Sequence, residues 1–152
     1  MKNIATVIWF TVAFFTSNAF GFQLSFTNNS DGTITIHYES QDWVYVDSHN
    51  NFKMYIDRDT IGRKGDEVNF HSITEFNTYK EYSGLPHKIK RIYTHGVISC
   101  KRSLLMILSD IYTDSENTIR FSVPYQSGEF IVDMNETSLR KQITYMVCGD
   151  SI

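Results

Sequence analysis

The chain has little of what usually announces a function. Two prolines and eight glycines in 152 residues exclude a collagen-like or low-complexity polymer. Basic residues do not dominate: fourteen Lys and Arg face seventeen Asp and Glu. A nucleic-acid binder would favour a basic face, so nucleic acid is not the expected partner. No nucleophile elbow, P-loop or HExxH helix is present, which removes the common hydrolase, nucleotide and zinc-protease signatures. No apolar run reaches the roughly 20 residues that a membrane-spanning helix needs. Cysteine is reduced to two residues, Cys100 and Cys148.

What is present begins at the N-terminus. Lys2 is followed by an uncharged, largely apolar stretch from Ile4 to Phe15, then by Thr16-Ser17-Asn18-Ala19-Phe20-Gly21. A basic start, a short apolar centre and small residues at a cleavage spacing are the layout of a secretory signal peptide. Residues 1–19 are expected to be removed after Ala19, leaving Phe20 first, or Phe22 if Ala19 and Gly21 are the pair that is read. Residues 20–152 then form a single domain, long enough for one core and too short for two. With no cysteine near the cleavage point, a lipid anchor is not expected. The protein is expected to be exported, periplasmic or secreted to the cell surface, with no stable membrane anchor.

Export changes the reading of the cysteines. An isolated pair in an oxidising compartment usually bridges. The competing readings are a metal site, which wants four ligands, and a catalytic thiol, which leaves the second cysteine unexplained. A Cys100–Cys148 bridge would close a long loop and contribute about 4 kcal/mol on the chain-entropy model.

The dominant hydrophobic period is two. Leu24 and Phe26, then Ile34, Ile36 and Tyr38, alternate with polar residues on either side of Asn28-Asn29-Ser30-Asp31-Gly32, a hairpin signal. Further strands are expected at 43–46, 52–56, from Val68 to Phe76, from Ile89 to Cys100, at 104–108 and from Ile119 to Val123. Asp57 to Gly62 reads as a tight helical turn in which a carboxylate, Asp57 or Asp59, accepts free backbone N–H groups, and Asn77 to His87 as an exposed connection. At the C-terminus the period changes: Leu139, Ile143, Met146 and Val147 recur at helical spacing, with Asn135, Thr137 or Ser138 as cap and Gly149 as stop. The expected fold is α+β, mainly β: an antiparallel multi-stranded sheet with one C-terminal helix packed on it and one disulfide.

These residues carry a resemblance. Trp43, Tyr55-Ile56-Asp57 with Thr60-Ile61, the turn at Gly65, the strand from Val68, Ser99-Cys100, and Ser138 leading a helix into Val147-Cys148 are similar to the surface-adhesin protein E family of bacterial exported proteins. The resemblance covers about residues 42–148, and the hairpin from Leu24 to Tyr38 stands outside it. It implies a sheet with a packed helix, an internal disulfide, no catalysis and no cofactor. It also implies binding of host extracellular-matrix or serum proteins. The alternative from another class is a periplasmic structural or envelope-stress protein with no host ligand.

Candidate chemistry outside the resemblance is thin. His37 with Glu39, and His71 with Glu75, share strand faces; each pair reads as a solvated polar face, because an active site needs a third partner and a concave setting. Asp57 and Asp59 lack the further oxygen ligands of a calcium loop. Asn28 and Asn135 open glycosylation sequons, with Asn135 better read as a helix cap. The most prominent surface feature is His87-Lys88-Ile89-Lys90-Arg91-Ile92-Tyr93. One reading is an edge strand guarded by its lysines. The functional reading is a partner-binding strip of Tyr79, Tyr82, Lys88, Lys90, Arg91 and Tyr93, with tyrosines as anchors.

Overall fold

The computed structural model describes residues 23–39, 42–49, 51–82, 88–125, 131–133 and 137–149. The expected signal peptide and its cleavage points, with Gly84, Pro86, His87 and Asn135, lie outside them. The elements are β1 (Gln23–Asn28), β2 (Ile34–Glu39), β3 (Trp43–His49), β4 (Phe52–Lys64), β5 (Glu67–Glu81), β6 (Lys88–Ser99), β7 (Leu104–Thr113), β8 (Ile119–Pro124), β9 (Ile131–Asp133) and α1 (Ser138–Cys148). Strands β3 to β8 pair with their sequence neighbours in one antiparallel sheet, and β9 adds to β7 as the seventh strand. β1 and β2 form a separate hairpin.

Turn chemistry sets the joints. In the first hairpin Gly32 takes φ 83°, a region open to glycine, while Asp31 Oδ1 accepts from Thr33 N and Oγ1. Gly65 takes φ 63° between β4 and β5. Next to it, Asp66 accepts from Ser99 Oγ at 2.6 Å and from Lys101 N at 2.7 Å. These bonds, Ser99 first, hold the Asp66 carboxyl below its ordinary range. They also tie the β4–β5 turn to the β6–β7 turn that carries Cys100.

The core lies between one sheet face and α1. Val46, Ile56, Val68, Phe70, Ile98 and Leu105 meet Ile143 and Val147 of the helix, with Leu139 and Met146 packed against them. The helical spacing therefore fills one stripe, as expected. Thr137 caps the start by accepting from Arg140 N, and Gly149 N donates to Tyr145 O at 2.9 Å. Cys148 bridges to Cys100 with Cα atoms 5.7 Å apart, and Arg63 donates to the Cys148 carbonyl at 2.7 Å. Gly96 leaves room for Phe70: a Cβ there would meet that ring and Leu105 at 3.0 Å.

Three expectations are corrected. Asp57 to Gly62 is not a helical turn: β4 runs through it with an irregular register between Asp57 and Gly62. The extra residues are satisfied in place, because Asp57 Oδ1 accepts from Asp59 N, Thr60 Oγ1 donates to Asp57 O, and His71 N donates to Thr60 Oγ1. Asn77 to Glu81 is not a connection: β5 extends to Glu81 across a register shift between Glu75 and Lys80. There Lys90 Nζ supplies donors to the carbonyls of Phe76 and Asn77. The basic stretch is not an edge strand, since β6 lies between β5 and β7.

The β1–β2 hairpin covers the sheet face away from α1. Strand alternation turns Ile56 and Phe70 toward the helix and Asp57, His71 and Tyr93 away from it. Tyr38 donates from its hydroxyl to Asp57 Oδ2 at 3.0 Å, and its ring lies 4.7 Å from Trp43 and 5.7 Å from Tyr93. Ile36, fully buried, donates its N–H to Asn117 O.

Candidate functional site

The six side chains of the basic-aromatic strip separate into two groups in the structure. Lys90, Arg91 and Tyr93 are engaged in the framework. Lys90 closes the β5 irregularity, as above. Arg91 bridges to Glu75 at 3.0 Å and donates to Asn117 Oδ1 at 2.8 Å. Tyr93 is buried and donates to Asn117 Oδ1 at 3.1 Å, and burial raises its hydroxyl pKa. Tyr79, Lys88 and Tyr82 face outward. Tyr79 is half exposed, donates to Ser115 Oγ, and lies under Lys88 Nζ at 6.0 Å.

Tyr82 opens a cluster that the sequence reading missed. It meets Tyr112 and Phe121 edge-on at 5.5 and 6.2 Å, and those two rings stack at 4.0 Å with planes 13° apart. Tyr112 and Phe121 are register partners across β7 and β8, so the stack is a cross-strand pair. Lys80 Nζ lies 5.5 Å from the Phe76 ring and 5.8 Å from the Tyr82 ring. Behind the rings is Asp110, 7 % exposed. It accepts from Thr94 Oγ1 at 2.6 Å and from Tyr125 OH at 3.2 Å. Burial raises the Asp110 pKa against these bonds, and burial together with the Asp110 charge pushes the Tyr112 hydroxyl well up. Period-two alternation on β7 and β8 carries a local signal for this group. Only the pairing of distant segments gathers it.

The histidine pairs do not become acid–base couples. His71 stacks on His95 at 4.5 Å, its register partner, while Glu75 is engaged with Arg91. His37 Nε2 lies 2.9 Å from Thr27 Oγ1 on the exposed hairpin. Burial, then the neighbouring His95, lowers the His71 pKa to about 4. Among the described residues no group of three or more His, Cys, Asp or Glu could hold a metal ion. The depression lined by Glu67, Val97, Ser99, Arg102, Leu104 and Met106 holds about 80 Å³, well below the roughly 300 Å³ at which small-molecule pockets begin. No described helix is long and apolar enough to cross a membrane.

A disulfide-pinned helix on an antiparallel sheet defines the architectural class of this domain. The family follows from direct comparison: residues 43–149 match the model of surface-adhesin protein E, and the chain belongs to that family. The matched span starts at the first residue of β3 and leaves the β1–β2 hairpin outside. No curated protein matches the chain.

Proposed function

We propose that this protein is an exported, non-enzymatic binding module that recognises host matrix or serum proteins at the cell surface. Membership of the surface-adhesin protein E family over residues 43–149 is the observation that carries this reading. The surface offered for contact is the outward pair of the strip, Tyr79 and Lys88. A half-exposed tyrosine stacked under an ammonium supplies a rigid anchor and a steering charge. Lys90, Arg91 and Tyr93 contribute by holding β5, β6 and the 115–117 turn in place.

The test is a binding panel of matrix and serum proteins run on wild type and on Tyr79→Ser/Lys88→Ser. Both side chains are surface groups, so the fold should survive, as surface changes cost about 0.5 kcal/mol or less. Binding should weaken with salt, and the double variant should bind about tenfold less, equivalent to some 1.4 kcal/mol. Equal binding by the variant removes the strip from the interface. If wild type binds nothing on the panel and fractionation retains the protein in the periplasm, the periplasmic structural reading takes its place.

A further inference from the structure

We propose that Phe76, Tyr82, Tyr112 and Phe121, with Asp110 behind them, form a cation-binding site for a lysine or arginine side chain of a protein partner, and that Lys80 occupies its Phe76–Tyr82 end in the free protein. The charge preference is opposite to that of the Tyr79–Lys88 surface, so the site does not depend on that reading.

The first observation is the resident ammonium. Lys80 makes no ion pair among the described residues and lies between the Phe76 and Tyr82 rings, within 6 Å of both centroids. A cation over two aromatic faces is held by the ring quadrupoles, so these rings already accept a primary ammonium. Lys80 is exposed, on the last residues of β5, and can be displaced without unfolding the strand.

The second observation is the buried carboxylate. Every hydrogen-bond partner given above for Asp110 is a hydroxyl, and no described cation forms an ion pair with it. A buried carboxylate without a counter-charge is costly. Asp110 also belongs to a polar row that crosses the helix-side face in register, Ser72 to Thr94 to Asp110. The Ser72 hydroxyl in that row is buried and without a partner. Asp110 and Tyr112 are two apart on β7 and so share a sheet face, which puts the Asp110 carboxyl beside the aromatic shelf and makes its field negative when ionised. A cation arriving on the shelf therefore meets quadrupoles and a net charge of the right sign.

The occupant follows from shape. The half-buried rings form an open shelf and not a cavity, so a free amine would have nothing else to touch. A basic side chain projecting from a protein surface brings the rest of its interface with it. Hard metal ions are poorly served, because the two phenol oxygens and one buried carboxylate fall short of the six or more oxygen ligands such ions take.

Titration of the isotope-labelled protein with a lysine–glycine decapeptide, followed by amide NMR, tests this. Shifts should concentrate at residues 76–82, 110–112 and 121, and the matching glutamate–glycine peptide should produce none there. Lys80→Ala should tighten binding severalfold, whereas Lys101→Ala, which removes the same charge from another exposed position, should tighten it much less. Asp110→Asn should weaken binding about tenfold. Shifts scattered over the acidic surface, or equal gains from Lys80→Ala and Lys101→Ala, overturn the proposal. So does a response of the same resonances to a neutral oligosaccharide but not to the peptide. If Asp110→Asn does not fold, the Lys80→Ala and Lys101→Ala pair still decides. Loss of matrix binding in Tyr79→Ser/Lys88→Ser with peptide binding intact separates the two surfaces.

Discussion

The two faces of the large sheet are covered by different means. On one, α1 buries aliphatic side chains against Phe70, Ile56 and Ile98 and is tied down by the Cys100–Cys148 bridge. On the other, the β1–β2 hairpin is held by a tyrosine hydroxyl on Asp57, a Tyr38–Trp43–Tyr93 ring contact and a few backbone bonds to the 117–118 turn. Apolar burial is non-directional and scales with area, and the covalent link limits how far the helix can separate in the unfolded chain. Hydroxyl and ring contacts are directional and each is worth little net. The helix side should therefore open only with global unfolding, and the hairpin side should open locally, at lower free energy. The family match begins at Trp43, after the hairpin has ended at Glu39, so the less firmly attached layer is also the one outside the shared domain.

The largest effect should come from the bridge. Cys148→Ala is expected to cost about 2–5 kcal/mol of global stability, read from denaturant midpoints of oxidised wild type and variant. Hydrogen exchange should show the loss at α1 and at the centre of β5 and β6, with local opening of β1–β2 unchanged. A hairpin that loosens as much as the helix would break the contrast.

Acid should act on the hairpin-side face. Folded His71 titrates at about 4, whereas an unfolded histidine titrates near 6.5. The folded state thus binds fewer protons between these values, and stability rises with pH across that window. The contribution is complete above about pH 6.5, falls as pH drops toward 4, and changes no further below it, with a total of about 1–3 kcal/mol. Urea midpoints at pH 7, 5.5 and 4.5 should decline in wild type, and His71→Gln should flatten that decline. An unchanged slope in the variant would show that His71 does not drive it.

The smallest change should be the most local. Tyr38→Phe keeps the ring contacts and removes the hydroxyl from Asp57, at a cost of about 1 kcal/mol. Amides of β2 should exchange faster while those of α1 keep wild-type protection. Equal loss in both would mean that hairpin and sheet unfold as one unit.

How much could be read in advance follows the range of each interaction. The hairpin, most strands and α1 were legible because their signals are local: alternation, Asn-Gly-rich turns, a 3.6-residue stripe ending at Gly149. The run from Asp57 to Gly62 was misread because its capping chemistry is the same in a bulge as in a helical turn. Only pairing with β5 distinguishes them. The polar stretch at Asn77 to Glu81 was misread because Lys90, thirteen residues or more away in sequence, satisfies the irregular carbonyls. The strip was half legible: its composition marked it, but Lys90 is engaged by the Phe76 and Asn77 carbonyls and Arg91 and Tyr93 by Glu75 and Asn117.

By itself the sequence determined most of the element types, the helix stripe and its glycine stop, and the two cysteines that had only each other to bridge. Each of these depends on residues a few positions apart or on simple counting. Tertiary structure alone decided that β6 is central, that His71 faces His95, and that Tyr82, Tyr112, Phe121 and Asp110 meet behind Lys80. Those arrangements depend on strand register, and register is set by pairing between segments that carry no mark of one another in the linear chain.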